Sequence, residues 1–242
     1  MIKRCFDILI SSLGILVLIP IFIPVLFLVW IQDYSNPFYI ADRVGKDNKL
    51  FKMIKIRSMV LNADKNGVQS TSNDDMRITF IGKFIRKFKL DELSQLLNVF
   101  LGHMSFVGPR PNVADEVSLY SSEELCLLKV KPGITDFSSI VFSDEGEILN
   151  GSTNPDLDYN QLIRPGKGYL GLFYIEKMNF LLDLKLIFLT ILAIISKEKA
   201  LIQISKIIES HGGDESLITL AQRKNPLRPM PPPGMTEIVS LR

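Results

Sequence analysis

The 242-residue chain has 28 basic and 26 acidic side chains, and its net charge of +2 gives no field able to draw it onto nucleic acid. Two cysteines, Cys5 and Cys126, with no CxxC spacing exclude a disulfide framework, and two histidines, His103 and His211, exclude a His-rich zinc site. The apolar share is 47%, in a chain long enough for one good core.

That apolar excess is concentrated at the start. Between Asp7 and Asp33 lie 25 residues without a charge, about 37 Å as a helix and enough to cross a ~30 Å hydrocarbon core. The run is long for a signal peptide, and no small-residue cleavage site follows it. The plain reading is a single-pass anchor. Two features favour another reading. Pro20 and Pro24 interrupt the run, each removing a backbone donor. Lys3 and Arg4 precede it, while Lys46, Lys49, Lys52, Lys55 and Arg57 follow, so both flanks carry the charge that prefers the cytoplasmic side. A re-entrant helix hairpin that dips in, turns at Pro20 and returns to the same face satisfies both.

Alternation in Phe51, Met53, Ile54 and Ile56, after the turn Gly45-Lys46-Asp47-Asn48, predicts a strand or short β-hairpin between Phe38 and Met59. Residues 62–76 are polar and turn-rich and read as a surface loop. A helix is expected over 78–88 and a second over 90–101. In the second, Leu90, Leu93, Leu97 and Leu101 belong to an apolar stripe, Asp91, Gln95 and Asn98 to a neighbouring polar face, and Gly102 suits the C-cap. Segments 103–113 and 129–136 read as loops. Phe180 to Ile195 is very apolar but holds Asp183 and Lys185, and at 16 residues it suits a core or interfacial helix better than a span. Ile202, Ile204, Ile207 and Ile208 continue an amphipathic pattern. The tail beyond Gly212 is rich in proline and reads as loop or partial disorder.

The chemistry lies between 86 and 111. An Asp-Glu pair in a first helical turn commonly just complements the macrodipole. Here Asp91 and Glu92 follow Arg86, Lys87 and Lys89, and Arg110 lies downstream in Gly108-Pro109-Arg110-Pro111. Such a carboxylate is expected to stay ionised. It could then attack phosphorus while the cations hold a pyrophosphate, and carboxylates can also bind Mg²⁺. The same basic residues could instead contact anionic lipid headgroups. No Walker-type GxxxxGK[ST] occurs, which speaks against a P-loop hydrolase.

The run from Lys89 through Asp91, Glu92, Leu93 and Gln95 to Val99, followed by Gly102-His103-Met104-Ser105 and Gly108-Pro109-Arg110-Pro111, resembles the bacterial sugar transferase family, specifically its small monotopic phosphoglycosyl transferases. The likeness runs from Lys3-Arg4-Cys5-Phe6-Asp7 through Lys131-Pro132-Gly133 to Leu182-Asp183-Leu184-Lys185, about the first 200 residues. The resemblance implies that Asp91 is the nucleophile on the β-phosphate of a UDP-sugar, that UMP leaves, and that undecaprenyl phosphate takes the sugar phosphate from a covalent aspartyl intermediate. By the same resemblance Glu92 assists, Asp91 helps hold Mg²⁺, Lys55, Arg57, Arg86 and Arg110 bind phosphates, and Pro20 breaks the membrane helix. Ile19 stands where the family has Ser, His103 where most members have Asp, and Asp136-Phe137 where many have Gly-Trp.

The expected fold is α+β and predominantly helical: a re-entrant membrane helix over 1–36, a cytosol-facing catalytic domain with interfacial helices over 37–211, and a Pro-rich tail over 212–242. The expected location is the cytosolic face of a bacterial inner membrane, with membrane lipids as neighbours. Downstream glycosyltransferases or a second copy in a homodimer are the expected protein partners. A non-catalytic membrane scaffold of a glycan-assembly complex is the alternative function. A Mg²⁺-dependent lipid phosphatase is a further one.

Overall fold

The computed structural model describes residues 2–66 and 70–240. The first helix, α1 (Ile2–Ile31), is helical without interruption through Pro20 and Pro24. The expected turn at Pro20 is therefore absent. Helical hydrogen bonding resumes on both sides of each proline, so the lost donors are absorbed within one element. Only 11% of its most apolar stretch is buried. Phe27, Trp30 and Tyr34 cluster at its exposed C-terminal end, an aromatic girdle of the kind found at membrane surfaces.

Both ends of α1 are fixed to one globular body. At the N-terminal end Lys3 Nζ reaches Asp183 (2.6 Å), the Tyr174 hydroxyl (3.0 Å) and the Val107 carbonyl (3.0 Å). Arg4 donates to the Val99 and Phe100 carbonyls at 2.6 and 2.7 Å, and buried Asp7 accepts from Ser105 Oγ and the Phe106 amide. At the other end Arg57, only 6% exposed, holds the Asp33 carboxylate and donates to the Asn36 carbonyl at 2.9 Å.

The hairpin forms as expected. Strand β1 (Phe38–Val44) pairs antiparallel with β2 (Leu50–Ile56), Ile40 opposite Ile54. Asp47 and Asn48 take left-handed backbone angles in the turn, a conformation these residue types tolerate. The loop expected over 62–76 begins with a 3-10 turn at Ala63–Asn66, and residues 67–69 of it lie outside the described residues. Thr79 caps α2 (Phe80–Lys87) by accepting from the Gly82 amide. Gly82 is required there, since a Cβ would sit 1.8 Å from the Ser58 carbonyl oxygen.

The helix expected over 90–101 is two pieces, α3 (Leu90–Leu93) and α4 (Leu96–Leu101). Gly102, at φ 87°, closes α4 as expected. The polar face is not solvated. Asn98 is fully buried, accepts from the Ile54 amide at 2.9 Å and donates to the Lys52 carbonyl at 2.6 Å, while Ser94 Oγ donates to the Ile54 carbonyl at 3.1 Å. These side chains take up the free edge of β2. Neither segment 103–113 nor 129–136 is loop throughout. Strand β3 (Ser105–Val107) precedes a short α5 (Ala114–Val117), and β4 (Gly133–Thr135) lies parallel to β3. Three-residue strands have no readable alternation, and two glycines permit the pairing: a Cβ on Gly133 would lie 2.1 Å from the Gly108 nitrogen.

The main core forms beyond β4. Short helices α6 (Phe137–Val141), α7 (Glu145–Ile148) and α8 (Pro155–Asp158) lead through a π-turn at Tyr159–Ile163 into α9 (Arg164–Lys177) and α10 (Phe180–Ile195). Phe137, Leu170, Leu186 and Ile204 are fully or nearly fully buried in this cluster, Ile204 coming from α11 (Lys197–Ser210). On the opposite side of α10, Leu181, Phe188, Ile191, Ile194 and Ile195 are exposed, the two-faced pattern of an interfacial helix. The expected loop after Gly212 contains α12 (Glu215–Gln222), because Asp214 caps it and Leu217 and Ala221 are buried. The proline-rich stretch beyond is extended, yet Pro232 and Pro233 are buried. The result is the expected α+β chain, predominantly helical, with its long apolar helix at the N-terminus.

Replacing Arg57 by Met would strand the Asp33 carboxylate and the Asn36 carbonyl. The expected cost is about 2 kcal/mol, read as a lower unfolding midpoint of the detergent-solubilised protein. An unchanged midpoint would remove Arg57 from the anchoring of α1.

Candidate active site

Four elements bring charge to one place. Helix α2 ends at Lys87 with Phe88 as its C-cap, and Lys89 takes a left-handed conformation (φ 52°), unusual for a lysine. That single residue redirects the chain, so Asp91 and Glu92 occupy the first turn of α3. Strand β2 presents Lys55 and α2 presents Arg86, whose Nε donates to Ser58 Oγ at 3.1 Å. The loop after β3 brings Arg110, whose guanidinium donates to Glu92 Oε1 at 2.9 Å. The Gly108–Gly133 contact sets where that loop starts, and the Val44 amide bonded to the Asn112 carbonyl (2.9 Å) ties its far side to β1.

The two carboxyls are held differently. Burial pushes the Asp91 carboxyl above its ordinary value, and neighbouring Glu92 adds to this, while Lys55, Arg86 and Arg110 pull it down. Reading charge from sequence counted the cations and missed both upward pushes. For Glu92, burial acts upward too but is outweighed by Arg110, Lys55 and Lys89, which hold it at about 2. Arg110 is raised in turn by Glu92. Burial lowers Lys55, and Arg110 lowers it further, against the pull of Asp91 and Glu92. The pair thus consists of one firmly ionised carboxylate and one closer to titration.

Of the expected phosphate-binding residues, Lys55, Arg86 and Arg110 act on Asp91, and Arg57 does not. Arg57 faces away and is consumed by Asp33 and the end of α1. Its place two residues beyond Lys55 in sequence made the two look alike, but β2 ends at Ile56 and Arg57 lies just past it. His103 is exposed at the corner after α4, with its ring against Phe51 (centroids 6.0 Å apart). Pro20 lies exposed within α1.

Sequence reading missed several neighbours of Arg110. Glu145 in α7 pairs with Lys167 of α9, and its charge is felt by Arg110 and Arg86. Lys167 also lies over the Tyr159 ring, 5.0 Å from its centroid. Arg110, Tyr159, Lys167, Tyr120 and Asp136 line one cavity. Fully buried Asp136 accepts from Ser138 and Ser139, and burial pushes its carboxyl up. One signal existed: Arg164-Pro165-Gly166-Lys167-Gly168 repeats the cation-with-Gly/Pro composition of the Arg110 loop. Among the described residues no group of three or more His, Cys, Asp or Glu side chains could hold a metal ion by itself.

The sequence pattern of the bacterial sugar transferases matches residues 1–197. An exopolysaccharide production protein, ExoY, from Sinorhizobium fredii is 34% identical over 79% of this chain and 84% of its own length. An undecaprenyl-phosphate galactose phosphotransferase from Salmonella typhimurium is 32% identical over 82% of this chain, and a UDP-glucose:undecaprenyl-phosphate glucose-1-phosphate transferase from Klebsiella pneumoniae 36% identical over 78%. The matches span 41% and 39% of those two larger relatives. With its long apolar N-terminal helix, the chain is a membrane protein of the bacterial sugar transferase family.

Proposed function

We propose that the chain is a phosphoglycosyl transferase that moves a sugar phosphate from a UDP-sugar to undecaprenyl phosphate and releases UMP. The observation that carries this reading is the convergence of Asp91 and Glu92 with Lys55, Arg86 and Arg110, beside a helix whose Phe80, Phe84 and Phe88 are exposed. Anionic donor and lipid acceptor need such a meeting of cations and apolar surface. Relatives named for transfer of galactose and glucose phosphates to undecaprenyl phosphate support the reaction class.

In the first step an Asp91 carboxylate oxygen attacks the β-phosphorus of the donor. The bond from that phosphorus to the bridging oxygen breaks, and UMP leaves with the electron pair. A phosphate oxygen of the polyprenyl phosphate then attacks the same phosphorus, freeing Asp91. Arg86, Arg110 and Lys55 oppose the charge that spreads over the phosphoryl oxygens. Glu92, held at about 2, is a poor base near neutral pH and suits orienting Arg110. Asp91 and Glu92 fit a Mg²⁺ ion, which commonly takes one or two carboxylates and completes its shell with phosphates and water. When bound it would neutralise diphosphate charge.

The cytosolic face of a bacterial inner membrane, with monotopic insertion, fits the ends of α1. A spanning helix separates its termini by the bilayer, whereas Lys3 and Arg57 fix both ends to one body. Nucleotide sugar arrives from that side.

Incubating protein with radiolabelled UDP-sugar and Mg²⁺, without acceptor, should give near-stoichiometric UMP and labelled protein. Adding undecaprenyl phosphate should discharge the label and start turnover. Asp91→Asn should lose both label and burst, with kcat down about a thousandfold or more. Full activity in that variant would refute the nucleophile.

Lys55 pulls the Asp91 carboxyl down, so its loss should raise that group further. Lys55→Met should shift the acidic limb of kcat/KM to higher pH, activity failing at a pH where the parent still turns over. A limb that stays in place would separate Lys55 from Asp91.

A further inference from the structure

Strand alternation puts one further cation on the face of the hairpin that carries Lys55. Tyr39, Ala41 and Arg43 share one side of β1, and their partners across the hairpin are Lys55, Met53 and Phe51. Directly paired residues point to the same side of a sheet. Arg43 and Lys55 therefore belong to one surface, about 13 Å apart along the strands, a distance that two extended basic side chains shorten. The Val44 amide, next to Arg43, is bonded to the Asn112 carbonyl at 2.9 Å, which sets Arg43 beside the loop that brings Arg110.

Arg43 is half-buried, and among the described residues its guanidinium makes no ion pair. Its Nη1 donates to the Asp42 carbonyl at 3.0 Å, so a fork of five donors is mostly unused. Burial lowers the group, and Arg110 adds to this, against the pull of Tyr39, Glu116 and Asp42. The Arg43 charge is also felt at Lys55, in the same direction as that of Arg110. The cations that act most on Asp91 and Glu92 are Lys55, Arg86, Lys89 and Arg110, and Arg43 is not among them. Outward from the nucleophile the order is therefore Lys55 and Arg86, then Arg110, then Arg43. A desolvated cation without a carboxylate is costly alone, and a bound anion relieves that cost.

Position selects the anion. With the β-phosphorus of the donor at Asp91, the α-phosphate lies one phosphate farther out. The opposite end of the hairpin, at Ile56, shares a small core with Ile85 and Leu90, beside the exposed Phe80, Phe84 and Phe88. Arg43 is thus at the end away from the apolar surface where a lipid phosphate would arrive.

We propose that Arg43 binds the α-phosphate of the nucleotide sugar and holds it as UMP departs. The inference rests on the phosphoglycosyl transfer proposed above. When the bond from the β-phosphorus to the bridging oxygen breaks, the electron pair stays on that oxygen and the α-phosphate gains a negative charge. A guanidinium fork can meet two of its oxygens and oppose that charge with no proton transferred.

The test compares the full-length protein with Arg43→Gln and Arg43→Lys, by calorimetric titration with UMP and by steady-state kinetics. Arg43→Gln should weaken UMP binding about tenfold and raise KM for the UDP-sugar by a similar factor, with KM for undecaprenyl phosphate within about twofold. Arg43→Lys puts a point charge in place of a fork and should weaken UMP binding about threefold. It decides the matter if the Gln variant does not fold. Unchanged UMP binding in a folded variant overturns the proposal. So does a rise in KM for undecaprenyl phosphate alone, which gives Arg43 to the lipid phosphate. A loss of UMP binding that only parallels a lower unfolding midpoint marks a structural role and overturns it too. A parent protein that binds UMP but turns over no UDP-sugar counts against the transfer reaction, while weakened UMP binding in the variants still supports the phosphate site at Arg43.

Discussion

The arrangement of the whole molecule depends on the fixing of α1 at both ends by charge. Apolar burial helps only locally, through Val25 and Val29 against Ile56, Ile85 and Leu90 and through Phe6 against Phe106 and Phe180, because most of the apolar stretch faces outward. The Lys3–Asp183 pair, backed by the Tyr174 hydroxyl, ties the N-terminal end to α10, and Arg57 ties the C-terminal end to β2. Few directional bonds between partly buried groups thus orient some thirty residues.

At the site the same kinds of charge are used to a different end. In the anchors Lys3 and Arg57 are each matched by a carboxylate of their own, Asp183 and Asp33. Around Asp91 the cations outnumber the carboxylates: Lys55, Arg86 and Arg110 face two acids, and Glu92 already occupies Arg110. Unmatched positive charge in a recess is attractive to a diphosphate. Burial raises both carboxyls, but at Glu92 the nearby Arg110, Lys55 and Lys89 outweigh it, so Asp91 is the less firmly ionised of the two. Glu145 and Lys167 extend the alternation of sign toward the cavity.

Much of this was legible in the sequence. The hairpin of β1 and β2, the helix at 180–195 and the Gly102 cap follow from periodicity and turn chemistry, and the Asp91–Glu92 pair stands out by its basic surroundings. What escaped was whatever depends on distant partners. Arg57 has the same chemical type and nearly the same position as Lys55, and only the packing of Asp33 decides that it faces the membrane helix. The continuity of α1 through two prolines escaped because proline's cost is local, whereas a long apolar helix has few competing structures in lipid. Strands β3 and β4 are held by a close glycine contact between residues 25 apart in sequence, which no short window contains. Glu145 and Lys167 are unremarkable singly and become a pair only through the packing of α7 on α9.

The clamp of Asn98 and Ser94 on β2 has a consequence for the molecule's behaviour in company. A two-stranded ribbon normally leaves two rows of unpaired amides and carbonyls, each able to recruit a strand from another molecule. Here Asn98 and Ser94 occupy the middle of one row, the amide meeting the Lys52 carbonyl and the Ile54 N–H and the hydroxyl meeting the Ile54 carbonyl. The ribbon therefore ends inside the fold on that side. For a protein crowded with its own copies in the plane of a membrane, that closure is a safeguard against edge-to-edge association.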